Sequence, residues 1–516
     1  MPRGQALVGV GALALVALSA GLEWNRVDAV ACETAALQSG APAGTVVTAT
    51  TLIEATEDHP RYCQVDGQTP SVGNTVTFRL ALPEDWNGKF LFVGVGGLGG
   101  TLPNTDAGVR RGYATATTDA GHTSSDSAWA ADREKEIDYG YRGTHVTAVA
   151  AKAMTGGYYG KPPHYAYFNG CSNGGRQALM EVQRYPEDFD GIIAGHPATG
   201  TPMQVGRAVM YQQMLAAPDN VLTAESIAVL SKATLAACDK TDGLEDGLVT
   251  DPRTCRFDPG VLACDGQDTA DCLTPGQIAT VRQIYGGVKT ADGRTYTSGF
   301  PPGHEDGATG WLQWIAGVTP PVAQPDGTLA YEGPRLPADY GLMDFNFRSL
   351  SLDTDDQAFG WRVFDLGRDL PRMKTMARIL TPDKADLRPF ARRGGKLLMY
   401  HGWSDPGISA LGTLDYHNRV VRAAGGQRQA DRFLRTYFVP GMHHCGGGPG
   451  PNSFDMLGVL ERWVEQGTAP AEVVATQYVD GRAVRTRPLC PHPQVARYRG
   501  TGSIDDASSF RCEVAP

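Results

Sequence analysis

Residues Tyr165 to Gly175 read Y-A-Y-F-N-G-C-S-N-G-G. An aromatic, apolar run leads into Gly170-Cys171-Ser172-Asn173-Gly174, and Arg176 to Arg184 then suits a helix. Strand, tight turn and helix in that order are the setting of a nucleophile elbow, where a serine on a strained turn exposes its hydroxyl. The flanking glycines fit, because bulky neighbours would block a substrate's approach. Ser172 is therefore the candidate nucleophile. The string G-x-S-x-G alone is weak, since it also occurs in ordinary turns. Its weight comes from what precedes and follows it.

Upstream, Thr75 to Leu82 alternates like a strand, and Phe90 to Val95 is continuously apolar, like a strand buried on both faces. The second runs into Gly94-Val95-Gly96-Gly97-Leu98-Gly99-Gly100. No lysine or helix start follows as a phosphate cradle would need. A glycine loop here instead offers a backbone N–H to an oxyanion, Gly97 first and Gly96 next. Tyr113 to Thr117, Phe189 to Ala194, Lys396 to Tyr400 and Arg432 to Val439 read as further strands. Helical runs lie at Gly143 to Thr155, Ser409 to Ala424 and Phe454 to Glu465. The alternation predicts an α/β fold with a mostly parallel sheet, an α/β-hydrolase core formed by residues 32–200 and 390–516. In residues 201–389 the rhythm is lost and turns crowd together, as in an inserted lid domain.

An α/β-hydrolase presents its serine, acid and histidine in that chain order at strand ends. Asp405 and His444 follow Ser172 in that order, each after a predicted strand. Histidine has the pKa a base needs at neutral pH, and a carboxylate fixes its tautomer and stabilises its protonated form. Among the 11 histidines, His443 would point differently from its neighbour, His401 follows its strand too closely, and His196 and His164 read as structural or surface groups.

The chain has 516 residues, 41% hydrophobic and 20% charged, with a net charge of -10. This suits a globular protein with two domains or a large insertion, and the absence of a long basic run argues against nucleic acid. Met1-Pro2-Arg3, the apolar stretch Ala6 to Leu18 and the small residues Ser19 and Ala20 read as a signal peptide over 1–20, hence a secreted or periplasmic protein with no membrane partner after cleavage. The ten cysteines then point to disulfides. Spacing suggests Cys32 with Cys63, Cys238 with Cys255, Cys264 with Cys272, and Cys490 with Cys512. Cys171 and Cys445 remain, beside Ser172 and His444. Assembly of the triad would bring their sulfurs close, and a bridge would hold base and nucleophile in register.

Asp239, Asp242 and Asp246, with glycines between them, suggest a structural calcium loop in the lid, because hard cations take several oxygens on a curled backbone. A solvated acidic turn is the plainer reading. No organic cofactor is indicated.

The G-C-S-x-G-G-R elbow at Gly170 to Arg176, H-G-W-S-D at His401 to Asp405, G-M-x-H-C-x-G-G at Gly441 to Gly448 and R-P-L-C-P at Arg487 to Pro491 resemble the tannase and feruloyl esterase family. That resemblance implies a Cys171–Cys445 disulfide and a lid calcium held by the Asp239, Asp242 and Asp246 side chains and the Leu244 and Leu248 carbonyls. It also implies an oxyanion hole from the glycine loop and the N–H of Asn173. The expected activity is serine carboxylic ester hydrolysis of phenolic or aromatic esters, feruloyl esterase-like. Tannase and terephthalate monoester hydrolase are alternatives, and a non-catalytic, calcium-stabilised binding protein is a remote one. The stretches at 344–348 and 361–365 look more like feruloyl esterases and tannases, and alanine often stands in the family where this chain has His196. Phe345, Phe347, Arg348, Trp361 and Phe364 are candidates to contact a small aromatic ester.

Overall fold

The computed structural model describes residues 31–266, 271–353, 356 and 358–514, so the expected signal peptide lies outside the described residues. Its main strands are β1 (Val46–Ile53), β2 (Tyr62–Ser71), β3 (Asn74–Pro83), β4 (Lys89–Val93), β5 (Ala114–Thr118), β6 (Tyr165–Cys171), β7 (Gly191–Gly195), β8 (Lys396–Gly402) and β9 (Leu434–Val439). They form one sheet in the order β1-β2-β3-β5-β4-β6-β7-β8-β9. Pairing is antiparallel from β1 to β5 along that order and parallel from β5 to β9. β5 and β7 are buried along their whole length. Both faces of a central parallel strand need apolar cover, which is why these runs do not alternate.

The sheet is covered on one side by α1 (Gly143–Tyr159) and α2 (Asn173–Arg184), whose Met154, Leu179 and Val182 pack with Phe78, Phe92 and Phe168. In the insertion, α3 (Thr201–Met214), α4 (Ala224–Cys238), α5 (Pro275–Gly286) and α6 (Ala338–Ser349) surround a separate core that includes Tyr211, Ile227, Val281 and Phe347. After it, α7 (Ala410–Ala424) joins the first side through Tyr416 and Val420. Helix α8 (Met456–Gln466) covers the other face, setting Leu460 and Trp463 against Tyr167, Ile193 and Leu398.

Two features of the fold were not read from the sequence. Strands β1 and β2 went unforeseen because they form the antiparallel edge, where the exposed face is rich in threonine and glutamine. Among the described residues one segment, Pro218–Asp242, is long and apolar enough to cross a membrane by length and composition. It contains α4, and its Ile227 and Leu230 are buried in the core of the insertion.

All ten cysteines are paired: Cys32–Cys63, Cys171–Cys445, Cys238–Cys255, Cys264–Cys272 and Cys490–Cys512.

Candidate active site

β6 ends at Cys171 and α2 starts at Asn173, so Ser172 takes the turn alone, with φ 63° and ψ -123°. This is conformational space that residues with a Cβ rarely adopt. Close packing enforces it. A Cβ on Gly170 would lie 2.4 Å from the Gly174 carbonyl oxygen, and one on Gly175 would lie 2.2 Å from that of Gly195. The Ser172 N–H donates to Gly195 O, and its carbonyl accepts from the N–H groups of Arg176 and Ala198.

Asp405 follows β8, and His444 lies in the loop after β9. His444 Nδ1 sits 2.9 and 3.1 Å from the two Asp405 oxygens. That leaves Nε2 for the pocket, which both His444 and Ser172 line. Ser172 Oγ has no hydrogen bond among the described residues. Such contacts often tighten only around substrate. The Cys171–Cys445 bridge, with Cα atoms 6.0 Å apart, ties the residue before Ser172 to the residue after His444.

Asp405 serves more than one imidazole. His196 Nδ1 lies 2.7 Å from it and His401 Nε2 3.1 Å, while the Gly407 and Ile408 N–H groups donate at 2.8 and 3.0 Å. Burial alone would raise the carboxyl's pKa. The positive field of His444 and the hydrogen bonds from His196, His401 and His444 reverse that and hold it well below the ordinary value. For His196, burial and then the neighbouring His401 lower the pKa to about 3, so the ring is neutral. Its Nε2 accepts from the Gly402 N–H at 3.3 Å, which puts its one proton on Nδ1, facing Asp405. His401 Nε2 also faces the Ile408 carbonyl at 2.9 Å, so its proton lies there.

The sequence reading of His196 as a structural or surface group missed its contact with the acid, and His401, set aside as the base, is a second partner: both are fully buried against Asp405. The available signal was position, since His196 immediately follows β7, the strand between β6 and β8. His443 does point elsewhere, toward Thr309 and the His304 carbonyl.

Gly97 and Asn173 line the same pocket as Ser172. A Cβ on Gly97 would meet nothing within 4 Å. Among the described residues neither backbone N–H is taken by a protein acceptor. The arrangement offers two free donors beside a nucleophile, which is what a developing oxyanion needs. Trp314 from the insertion stands edge-on to His444, with ring centroids 4.4 Å apart.

The lid aromatics are placed differently from the expectation. Phe347, Trp361 and Phe364 are buried in the lid's own core. Phe345 packs beside Trp129, with ring centroids 5.9 Å apart, and Arg348 is exposed and paired with Asp344. None of the five lines the pocket. Leu342, Asn346, Leu350 and Ser351 do, from α6 and the turn after it. On a helix, the neighbours of a core residue can face the opposite way, so aromatic content alone misled.

In the acidic loop, Asp239 caps the N–H groups of Asp246 and Gly247, Asp242 caps Leu244, and Asp246 caps Leu248 and pairs with Arg487. Burial raises the pKa of Asp246, and Asp242 adds to the rise against the pull of Arg487 and Arg485. Carboxylates that repel each other on a backbone curled by Gly243 (φ 91°) and Gly247 (φ 79°) suit a hard cation in kind. The three side chains do not, however, bring ligand atoms within 4.8 Å of one another. Two other groups do, among the described residues: His196, Asp405 and His444, and His145, Glu181 and Asp188. The first is committed to the hydrogen bonds above, and in the second Lys152 stands beside Asp188.

The sequence profile described as tannase and feruloyl esterase matches residues 63–513. The chain belongs to this family. It is 35% identical to an uncharacterized esterase of Xanthomonas campestris, over 92% of this chain and 87% of that one. Identity is 33% to a mono(2-hydroxyethyl) terephthalate hydrolase of Piscinibacter sakaiensis (89% and 85% covered) and 34% to a probable feruloyl esterase of Arthroderma benhamiae (85% and 82% covered). Among solved structures, an esterase from Aspergillus oryzae superposes with a TM-score of 0.81 at 25% identity, covering 91% of this chain and 97% of its own. Feruloyl esterase B from the same organism gives 0.80 at 24%, with the same coverage. The α/β-hydrolase architecture is thus that of the family.

Proposed function

We propose that the chain is a serine carboxylic ester hydrolase of phenolic or aromatic acid esters, with feruloyl-type esters its best substrates. One observation carries this reading: Asp405 holds His444 by Nδ1 over a pocket shared with a serine on a strained elbow. In this mechanism Ser172 Oγ attacks the ester carbonyl carbon while its proton passes to His444 Nε2. The Gly97 and Asn173 N–H groups receive the oxyanion. Collapse breaks the bond to the alkoxy oxygen, His444 protonates the departing alcohol, and the acyl group stays on Ser172. Water, deprotonated by His444, then releases the aromatic acid and restores the serine. The negative charge of Asp405 offsets the positive charge of the imidazolium in both steps.

Galloyl esters and terephthalate monoesters are the alternatives, the latter favoured by the terephthalate hydrolase among the relatives. The test is acid release from methyl ferulate, methyl gallate and monomethyl terephthalate by wild type and Ser172→Ala. Wild type is expected to cleave methyl ferulate, and the variant to lose at least about 10³-fold. Activity that survives the substitution overturns the mechanism.

Two further readings belong here. Five disulfides support passage through an oxidising compartment, so secretion or export to a periplasm fits. A calcium ion would be held by Asp239, Asp242 and Asp246 with the Leu244 and Leu248 carbonyls, a reading supported by three carboxylates on a backbone curled by Gly243 and Gly247. Its role would be to fix the lid, remote from the reacting atoms.

A further inference from the structure

Arg207 on α3 and Asp339 in the first turn of α6 meet beside the pocket. Arg207 lines the pocket, and its Nη2 lies 2.5 Å from Asp339 Oδ1 and 2.8 Å from the Gly407 carbonyl. Asp339 is fully buried, and neither of its oxygens has a well-angled hydrogen bond. The one pocket cation besides Arg176 is therefore matched by an anion. Arg176 is itself spent on Asn173 and on the Tyr139 and Gly140 carbonyls. The remaining polar groups of this wall are uncharged and carry donors and acceptors alike: Gln204 turns Oε1 toward Arg207 Nη1 at 3.4 Å, which leaves its amide N–H groups. Asn346 gives one amide N–H to the Leu342 carbonyl at 2.7 Å, which leaves Oδ1 and the second N–H. Ser351 donates to the Asn346 carbonyl at 2.9 Å, which leaves its lone pairs.

A wall of uncharged polar groups beside a neutralised arginine takes a neutral group and opposes one that brings an unmatched charge. We propose that Asp339, by neutralising Arg207, makes this pocket select uncharged aromatic acyl groups over acyl groups that carry a second carboxylate. The proposal rests on the ester hydrolase reading and narrows it: phenolic acyl groups fit, and terephthalate monoesters do not. Asp339 is here a specificity-determining residue acting through Arg207.

The test uses two esters of equal shape that differ in charge, methyl 4-carbamoylbenzoate and monomethyl terephthalate. Burial lifts Asp339 to about 7 against the pull of Arg207, so assays run at pH 8, where the pair is ionised. Wild type is expected to favour the neutral ester in kcat/KM by at least about tenfold, and Asp339→Asn to bring the ratio within about threefold. The same two esters are titrated calorimetrically into Ser172→Ala, which reads preference without turnover. Equal use of both esters by wild type overturns the proposal, as does an unchanged ratio in a folded Asp339→Asn protein. Should that variant not fold, the wild-type ratio and the calorimetry still decide. Preferential binding of the neutral ester with no turnover by wild type would support the selectivity while removing the esterase reading.

Discussion

Replacing His196 by alanine would remove one of the donors that share the Asp405 charge. The ring is neutral, so no charge is lost; what goes is the 2.7 Å hydrogen bond from Nδ1. A hydrogen bond to an ionised group contributes about 1.5–3 kcal/mol. If half of about 2 kcal/mol passes to the His444 contact, the imidazolium is stabilised by about 1 kcal/mol. The sign follows from the mechanism, since the base must be neutral to accept the Ser172 proton. A better stabilised imidazolium moves the acid limb of kcat/KM to higher pH, so activity falls near neutrality and recovers on the alkaline plateau. Thermal stability falls as well, but that alone would not separate packing from electrostatics. His196→Asn makes the separation: its Nδ2–H stands about where the ring's Nδ1–H did, and asparagine tolerates the backbone φ of 41° at this position. The asparagine variant should restore the wild-type limb. The assay is a pH series of kcat/KM on methyl ferulate for the three proteins. An alanine variant whose acid limb coincides with wild type refutes the reasoning and leaves His196 a packing residue.

Removing the Cys171–Cys445 bridge by a double alanine substitution should cost about 2–5 kcal/mol of stability, read by denaturant titration, and lower kcat more than it raises KM, because base and nucleophile lose their shared restraint. No change in either quantity would make the bridge incidental. Metal analysis of the purified protein should find calcium, and chelation should lower its melting temperature without changing the secondary structure of the core. A calcium-free protein whose melting temperature chelation leaves unchanged would remove the lid cation.

The parts of the fold that could be read from sequence are those where one physical demand acts alone. Buried parallel strands such as β6 and β8 must be apolar on both faces, so they stand out. Ser172, Asp405 and His444 were readable because strand ends fix their order. β1 and β2 were not, since an edge strand with one wet face satisfies no such strict rule. The contact of His196 with the acid went unread because it depends on which strands lie side by side, and chain order does not give that. The lid was hardest: its apolar residues serve two masters, its own core and the pocket. Phe347 lies in the lid core and its neighbour Asn346 lines the pocket.

The bridge between the elbow and the histidine loop has a consequence for how the molecule would come apart. The other four disulfides each close a local loop of 8 to 31 residues, and this one alone spans the insertion, 274 residues from end to end. A protease that nicks the lid between residues 273 and 389 would make two polypeptides but leave one covalent molecule. The break would be visible on a gel only after reduction. Both fragments would contribute strands to the same sheet and residues to the same site, so a nicked enzyme could outlive the intact sequence of its lid.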